Sequence, residues 1–178
     1  MSEQINIYPQ TCGTLRIKKG IPVTVTDPGY DDDCICVLHR QMKPGKYTCV
    51  IYRGRDSYKD NDGKRHSHTK NFAVGVYLVT QNEAGGDKIN LPTTDEWENA
   101  KGIGDIGVDA GMAGFFQNKP NYDDSEWDDI CERINAKRNE CLCLSYGFFS
   151  HTAYGDGVYP VYGYYNADHE LIGMDIRF

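Results

Sequence analysis

The stretch Tyr159-Pro160-Val161-Tyr162-Gly163-Tyr164-Tyr165, followed by Asn166-Ala167-Asp168-His169 and then by Ile172-Gly173-Met174-Asp175-Ile176-Arg177-Phe178, decides the fold class. Aromatic and β-branched residues fill the first run, and such residues suit a pleated, half-buried surface. Asn166 to His169 carries the chemistry of a hairpin turn. In the last run Ile172, Met174, Ile176 and Phe178 alternate with Gly173, Asp175 and Arg177, the period of a two-faced strand. Pro160 has no N–H to give a ladder, so it marks a strand edge or a bulge.

Working outward, the same signals recur. Cys141 to Tyr146 and the residues to Ser150 read as strand, closed by a turn at Gly155-Asp156-Gly157. Leu15 and Ile17, Val23 to Thr26, Cys34 to Leu38, Tyr47 to Tyr52, Asn71 to Thr80, Ile103 to Val108 and Ala113 to Phe116 read as further strands. Asn82 to Asp95 is polar and reads as an exposed loop. One helix is predicted, over about 124–137, capped by Asp124 or Ser125. Trp127, Ile130, Cys131 and Ile134 form its i, i+3, i+4, i+7 apolar stripe. With 13 Tyr and 19 Gly the composition also favours strands and turns. The expected fold is mainly β within the α+β class. It is a β-sandwich or a strongly bent antiparallel sheet, with one amphipathic helix packed on it. Residues 1–178 fit a single domain with a protruding basic hairpin at about 46–80.

No apolar stretch approaches the roughly 20 residues of a membrane span. The first residues lack the basic and apolar regions of a signal peptide. Seven cysteines, an odd number without secretion signals, point to reduced thiols in a cytosol. Cys34/Cys36 and Cys141/Cys143 are C-x-C pairs, and two such pairs meeting would resemble a four-thiolate zinc site. Zinc sites usually use C-x2-C knuckles, however, so these cysteines read as small apolar residues on buried strands.

The net charge of −7 is uneven. Arg53, Arg55, Lys59, Lys64, Arg65 and Lys70 outweigh Asp56, Asp60 and Asp62, so the hairpin carries +3 and the rest −10. An acidic chain is not a general nucleic-acid binder; its acidic surface suits a basic protein partner. The residues expected to steer such a partner are Asp31, Asp32, Asp33, Asp123, Asp124, Glu126, Asp128 and Asp129. Arg53, Arg55, Lys64 and Arg65 form a second contact surface. Direct nucleic-acid contact is expected only through the 53–70 hairpin.

Three turns hold candidate chemistry: Asp27-Pro28-Gly29-Tyr30, Val108-Asp109-Ala110-Gly111 and Thr152-Ala153-Tyr154-Gly155-Asp156-Gly157. Clustered at one end of a sheet, Asp27, Asp109 and Asp156 with Tyr30, His151, Thr152 and Tyr154 would line a ligand site. Such carboxylates bind hard cations or move protons. The competing account is that Asp begins turns by accepting backbone N–H bonds. Asp27-Pro28-Gly29-Tyr30-Asp31-Asp32 also echoes Lys119-Pro120-Asn121-Tyr122-Asp123-Asp124. A cysteine nucleophile working with His151 has nothing to single it out. The nucleophile elbow, phosphate loop, dinucleotide fingerprint and zinc-protease signatures are missing. No catalytic residue, cofactor or metal is therefore expected.

The segments DPGY (27–30), VDAGMAGFF (108–116) and TAYGDGVYPVYGYYNADHELIGMDIRF (152–178) resemble an uncharacterised bacterial and phage domain-of-unknown-function family. Its members carry a VDxG turn, a GDGxYPVY strand and an alternating final strand. The resemblance implies a β-rich fold and a microbial or mobile-element origin, hence a cytoplasmic location in a bacterial cell or phage-infected host, and it assigns no catalytic residue. With the acidic surface, the expected function is a non-enzymatic binding or inhibitory accessory protein. It would be anti-defence in character, like an anti-CRISPR protein acting on a basic nucleic-acid-handling partner. The alternatives are a small-ligand or metal-dependent enzyme built on Asp27, Asp109 and Asp156, and a toxin-immunity protein.

Overall fold

The computed structural model describes residues 6–31 and 34–178. Its strands are β1 (Ile7–Ile17), β2 (Val23–Thr26), β3 (Leu38–Arg40), β4 (Gly45–Lys59), β5 (Arg65–Gln81), β6 (Asp87–Ile89), β7 (Lys101–Val108), β8 (Met112–Phe116), β9 (Cys141–Leu144), β10 (Gly147–His151), β11 (Gly157–Tyr165) and β12 (Leu171–Arg177). Two helices interrupt them, α1 (Thr94–Glu98) and α2 (Asp124–Asn135). The strands form two antiparallel sheets. The larger runs β1-β4-β5-β12-β11-β7 with β6 also on β5, and the smaller runs β3-β2-β8-β10-β9.

The sheets pack face to face as a sandwich. Leu15, Tyr47, Ile51, Val76, Met174 and Ile176 of the larger sheet meet Val23, Val25, Phe115 and Phe148 of the smaller in one core. Each sheet is also covered on its other face. Ile130 and Ile134 of α2 pack on Met112, Phe116, Leu142 and Phe149. The α1 segment lays Leu91 and Trp97 over Val50, Tyr52, Ala73 and Tyr77. The result is a four-layer stack, helix, sheet, sheet, helix, and a mainly β fold as expected.

The differences from expectation have local causes. Asp123, not Asp124 or Ser125, caps α2: it accepts from Glu126 N while Glu126 accepts from Asp123 N, a reciprocal capping box. The loop expected at 82–95 contains β6 and leads into α1, which Thr93 and Glu96 cap in the same way. The strand expected at Cys34–Leu38 begins only at Leu38. Cys34 to Cys36 is a turn, with Cys34 N donating to Asp31 O, and Ile35 points to solvent. In β12 a bulge opposite Tyr164/Tyr165 breaks the alternation, so Leu171 and Met174 enter the core while Ile172 does not. Pro160 sits in an interior strand, next to a bulge at Val161/Tyr162.

The hairpin of β4 and β5 is partly core. Tyr47 to Ile51 and Ala73 to Tyr77 are buried, and among the described residues only the ribbon beyond Gly54 and Lys70 extends past the neighbouring strands. All seven cysteines are free. Cys141 and Cys143 do not meet Cys34 and Cys36. Instead the Cys12 thiol contacts that of Cys141 and the Cys49 thiol that of Cys143, where β1, β4 and β9 come together.

Candidate functional site

Asp27 follows the end of β2, the strand whose Val23 and Val25 anchor it in the core. Its side chain is fully buried. One oxygen accepts from Gly29 N at 2.8 Å; the other accepts from Asp109 N at 2.8 Å and Ala110 N at 2.6 Å. The DPGY turn is thus tied to the VDAG turn that links β7 to β8. Burial pushes the Asp27 carboxyl above its usual range, against the three N–H donors that favour its ionised form.

The third turn joins the second through backbone contacts. Thr152 N donates to Gly111 O at 2.9 Å. Gly111 has φ 64, and the Cα of Gly155 lies 3.7 Å from where its Cβ would stand. The positive φ is what favours glycine here, since 3.7 Å is an ordinary van der Waals separation.

A cleft of about 330 Å³ opens beside Asp27. Its walls are Gly29 and Tyr30 of the first turn, Asp109 and Ala110 of the second, and Tyr122, Asp123, Asp124 and Trp127 from the start of α2. Both copies of the Pro-x-Tyr-Asp-Asp echo therefore contribute a tyrosine to the lining. Gly29 matters through its missing side chain: a Cβ there would stand 3.2 Å from the Trp127 ring. Tyr122 and Trp127 stand 6.0 Å apart between ring centroids, and the Tyr122 hydroxyl pairs with that of Tyr146 at 2.8 Å. Burial raises the Tyr30 phenol, with help from Asp27, and burial raises that of Tyr122.

Of the residues singled out from the sequence, Asp27, Tyr30 and Asp109 share this cleft. His151, Thr152, Tyr154 and Asp156 do not line it. His151 meets Asn135 Oδ1 at 3.1 Å, Thr152 donates to Gly155 O, and Tyr154 packs its ring against Phe72 under Lys70. Asp156 is exposed. Among the described residues no group of three or more His, Cys, Asp or Glu is placed to hold a metal ion. Asp31 is exposed next to Tyr30; Asp32 and Asp33 lie outside the described residues. Asp123 and Glu126 serve the helix cap, while Asp124, Asp128 and Asp129 are exposed on α2, Asp129 paired with Arg133 at 3.3 Å. Arg53 reaches Arg138 O, Arg55 and Arg65 stand on the hairpin ribbon, and Lys64 ends its turn. Trp127 and Tyr122 were not singled out as site residues, though the echo held the signal for Tyr122.

A second polar centre lies under α1. Asp175 is fully buried and accepts from Tyr77 at 3.2 Å, from Tyr164, and from Arg177 Nε at 2.8 Å. Tyr52 extends the chain by donating to Tyr77 at 2.9 Å. The Arg177 guanidinium lies between the rings of Trp97 and Tyr162, 4.1 and 3.8 Å from their centroids, and donates to Trp97 O. This arrangement fastens α1 to the larger sheet. No family model, no curated protein and no solved structure matches the chain.

Proposed function

We propose that the chain is a non-enzymatic binding module that seats a cationic side chain of a basic protein partner in the cleft beside Asp27. The observation that carries this reading is the pairing of aromatic walls, Tyr30, Tyr122 and Trp127, with the carboxylates of Asp109 and Asp124. Aromatic faces attract guanidinium and ammonium groups, and adjacent carboxylates complete their hydrogen bonding. Asp27 is committed to backbone N–H groups and Asp123 to the helix cap. That leaves Asp109 and Asp124 to meet a ligand. The cleft's volume suits one long side chain better than a large cofactor. Asp31, Asp128 and Asp129 extend the acidic surface on either side and would steer a basic partner toward it. Basic surfaces of that kind are characteristic of proteins that handle nucleic acid, which keeps an anti-defence or immunity role within this reading.

The test is a titration with an arginine-rich peptide, read by calorimetry and by Trp127 emission, with Trp127→Phe as the spectroscopic control. Asp109→Asn with Asp124→Asn should weaken binding by about tenfold, the cost of two charge-assisted contacts at an exposed site. Asp87→Asn with Asp168→Asn, which removes the same charge elsewhere, should leave binding nearly unchanged. Equal weakening by both pairs would show general charge attraction and refute a role for the cleft.

A further inference from the structure

Cys12 is the extra residue of a bulge in β1. The pairing with β4 steps from Thr11 opposite Val50 to Gly13 opposite Cys49, which leaves Cys12 outside the register. Its side chain packs against the main core, its sulfur accepts from Asn139 Nδ2 at 3.7 Å, and it touches the Cys141 thiol. The chain that carries Cys141 is held in place from β5: Asn71 Nδ2 donates to Asn139 O at 3.0 Å and to Glu140 O at 3.3 Å. Two thiols far apart in sequence are thus kept in contact across the gap between the sheets. A residue outside the ladder can shift without breaking a ladder pair, as closing an S–S bond from contact distance requires.

The two thiols are not equivalent. Cys141 is buried and Cys12 only half-buried, so a small solute reaches Cys12 first. Hydrogen bonds from the Cys141 thiol and the Ile51 backbone, with the charge of Arg53, hold the Cys12 thiol below its ordinary range against its burial. The contact with Cys12, and then burial, push the Cys141 thiol up. A partly accessible sulfur with thiolate character beside a protonated thiol is the arrangement of a reactive cysteine and its resolving partner. The neighbouring contact of Cys49 with Cys143 is less open. Cys49 is fully buried, and β1 covers Cys143, whose Sγ lies 2.8 Å from the place of a Cβ on Gly13.

We propose that Cys12 and Cys141 are a peroxide-sensitive modification site, joined by a reversible disulfide that locks the two sheets together. The Cys12 thiolate attacks one oxygen of hydrogen peroxide. The O–O bond breaks, hydroxide leaves and takes up a proton as water, and Cys12 carries a sulfenic acid. The Cys141 sulfur then attacks the Cys12 sulfur. The S–S bond forms, the S–O bond breaks, and the departing hydroxyl takes the Cys141 proton as a second water. Two thiols lose two electrons, and one peroxide is reduced to two waters. A dithiol reductant reverses the bond by exchange. β1 is the outermost strand of the larger sheet and β9 the outermost of the smaller, so the bond closes one side of the sandwich. It also encloses most of the chain in one loop, which constrains the unfolded state strongly. This site is independent of the cleft beside Asp27.

The experiment treats the reduced chain with equimolar hydrogen peroxide, so that each chain can gain one disulfide. Remaining thiols are then blocked and the peptides mapped by mass spectrometry. The expected product joins the Cys12 and Cys141 peptides within one chain, raises Tm by about 10 °C and is reversed by a dithiol reductant. Cys12→Ser should abolish both the product and the rise, and Cys143→Ser should keep both. In the reduced, folded chain Cys12 should react with iodoacetamide at least about tenfold faster than Cys131, a half-buried thiol that burial pushes up. That comparison uses no variant, so it stands even if Cys12→Ser fails to fold. The proposal is overturned if peroxide leaves Cys12 without a bond to Cys141, or if the bond joins two chains. A Tm that does not rise on oxidation, or a Cys131 that reacts before Cys12, overturns it as well.

Discussion

Asp27 and Asp175 are both fully buried carboxylates, and they are satisfied by different kinds of donor. Backbone N–H groups from two turns surround Asp27. Side chains, two tyrosines and an arginine, surround Asp175. The first arrangement organises the chain path itself, because the donors belong to the loops that form the cleft. The second fastens one layer onto another, since Arg177 joins β12 to α1 through Trp97. A side-chain network can be exchanged for apolar residues of similar volume. Backbone donors cannot be mutated away, so only an acceptor at position 27 can keep that corner closed.

The largest effect is expected at the second centre. Asp175→Ala leaves Arg177 and two tyrosine hydroxyls under α1 without their acceptor, and should cost about 3–5 kcal/mol in urea unfolding. Asp175→Leu combined with Arg177→Met should recover most of that loss. If the double variant remains as unstable as the single one, the centre does more than join layers. Asp27→Ala should cost about 2–4 kcal/mol, with three N–H groups left buried and unmade. The amides of Gly29, Asp109 and Ala110 should then exchange with solvent markedly faster, with little change under α1. Spread of that change to Trp97 would erase the distinction between the two centres.

The smallest effect concerns pH. Burial holds both carboxyls above the ordinary aspartate value of 3.8, so each binds its proton more readily in the folded chain than in the unfolded one. Their contribution to stability is therefore full below that value and declines as pH rises through each raised pKa. Asp60, Glu96 and Glu170 are held low by hydrogen bonds, and their contributions run the other way, declining as pH falls. Carbon NMR of the side-chain carboxyls should show Asp27 and Asp175 titrating above Asp60. The reverse order would mean that the donors outweigh burial at both centres.

The strands were legible because alternation survives wherever one face is core: Val23 and Val25, or Tyr47, Cys49 and Ile51, point inward as their spacing demands. Alternation misleads at Asp175 and Arg177, which occupy the polar positions of β12 and yet lie beneath Tyr77, Tyr164 and Trp97. A period-two pattern says which residues share a face, not whether a further layer covers it. The α1 helix escaped notice because five residues are too few for a periodic stripe, although Thr93 and Glu96 spell a capping box. At the cleft, two of the three Asp turns supplied lining residues, Asp27, Tyr30 and Asp109, and the third supplied none. What joins Asp27 to Asp109 is a contact across 82 positions, which no local pattern encodes.

The place of β12 between β5 and β11 has a consequence for biosynthesis. Of the strands in the larger sheet, β12 is synthesised after all the others, and it is the one that unites the two halves. Before Leu171–Arg177 emerges, Ala73 to Tyr77 on one half and Val161 to Tyr165 on the other are unpaired edges, open to the same edges of neighbouring nascent chains. Translation that stalls just short of this strand would leave a template for association between chains, so synthesis of these seven residues guards against association as well as completing the sheet.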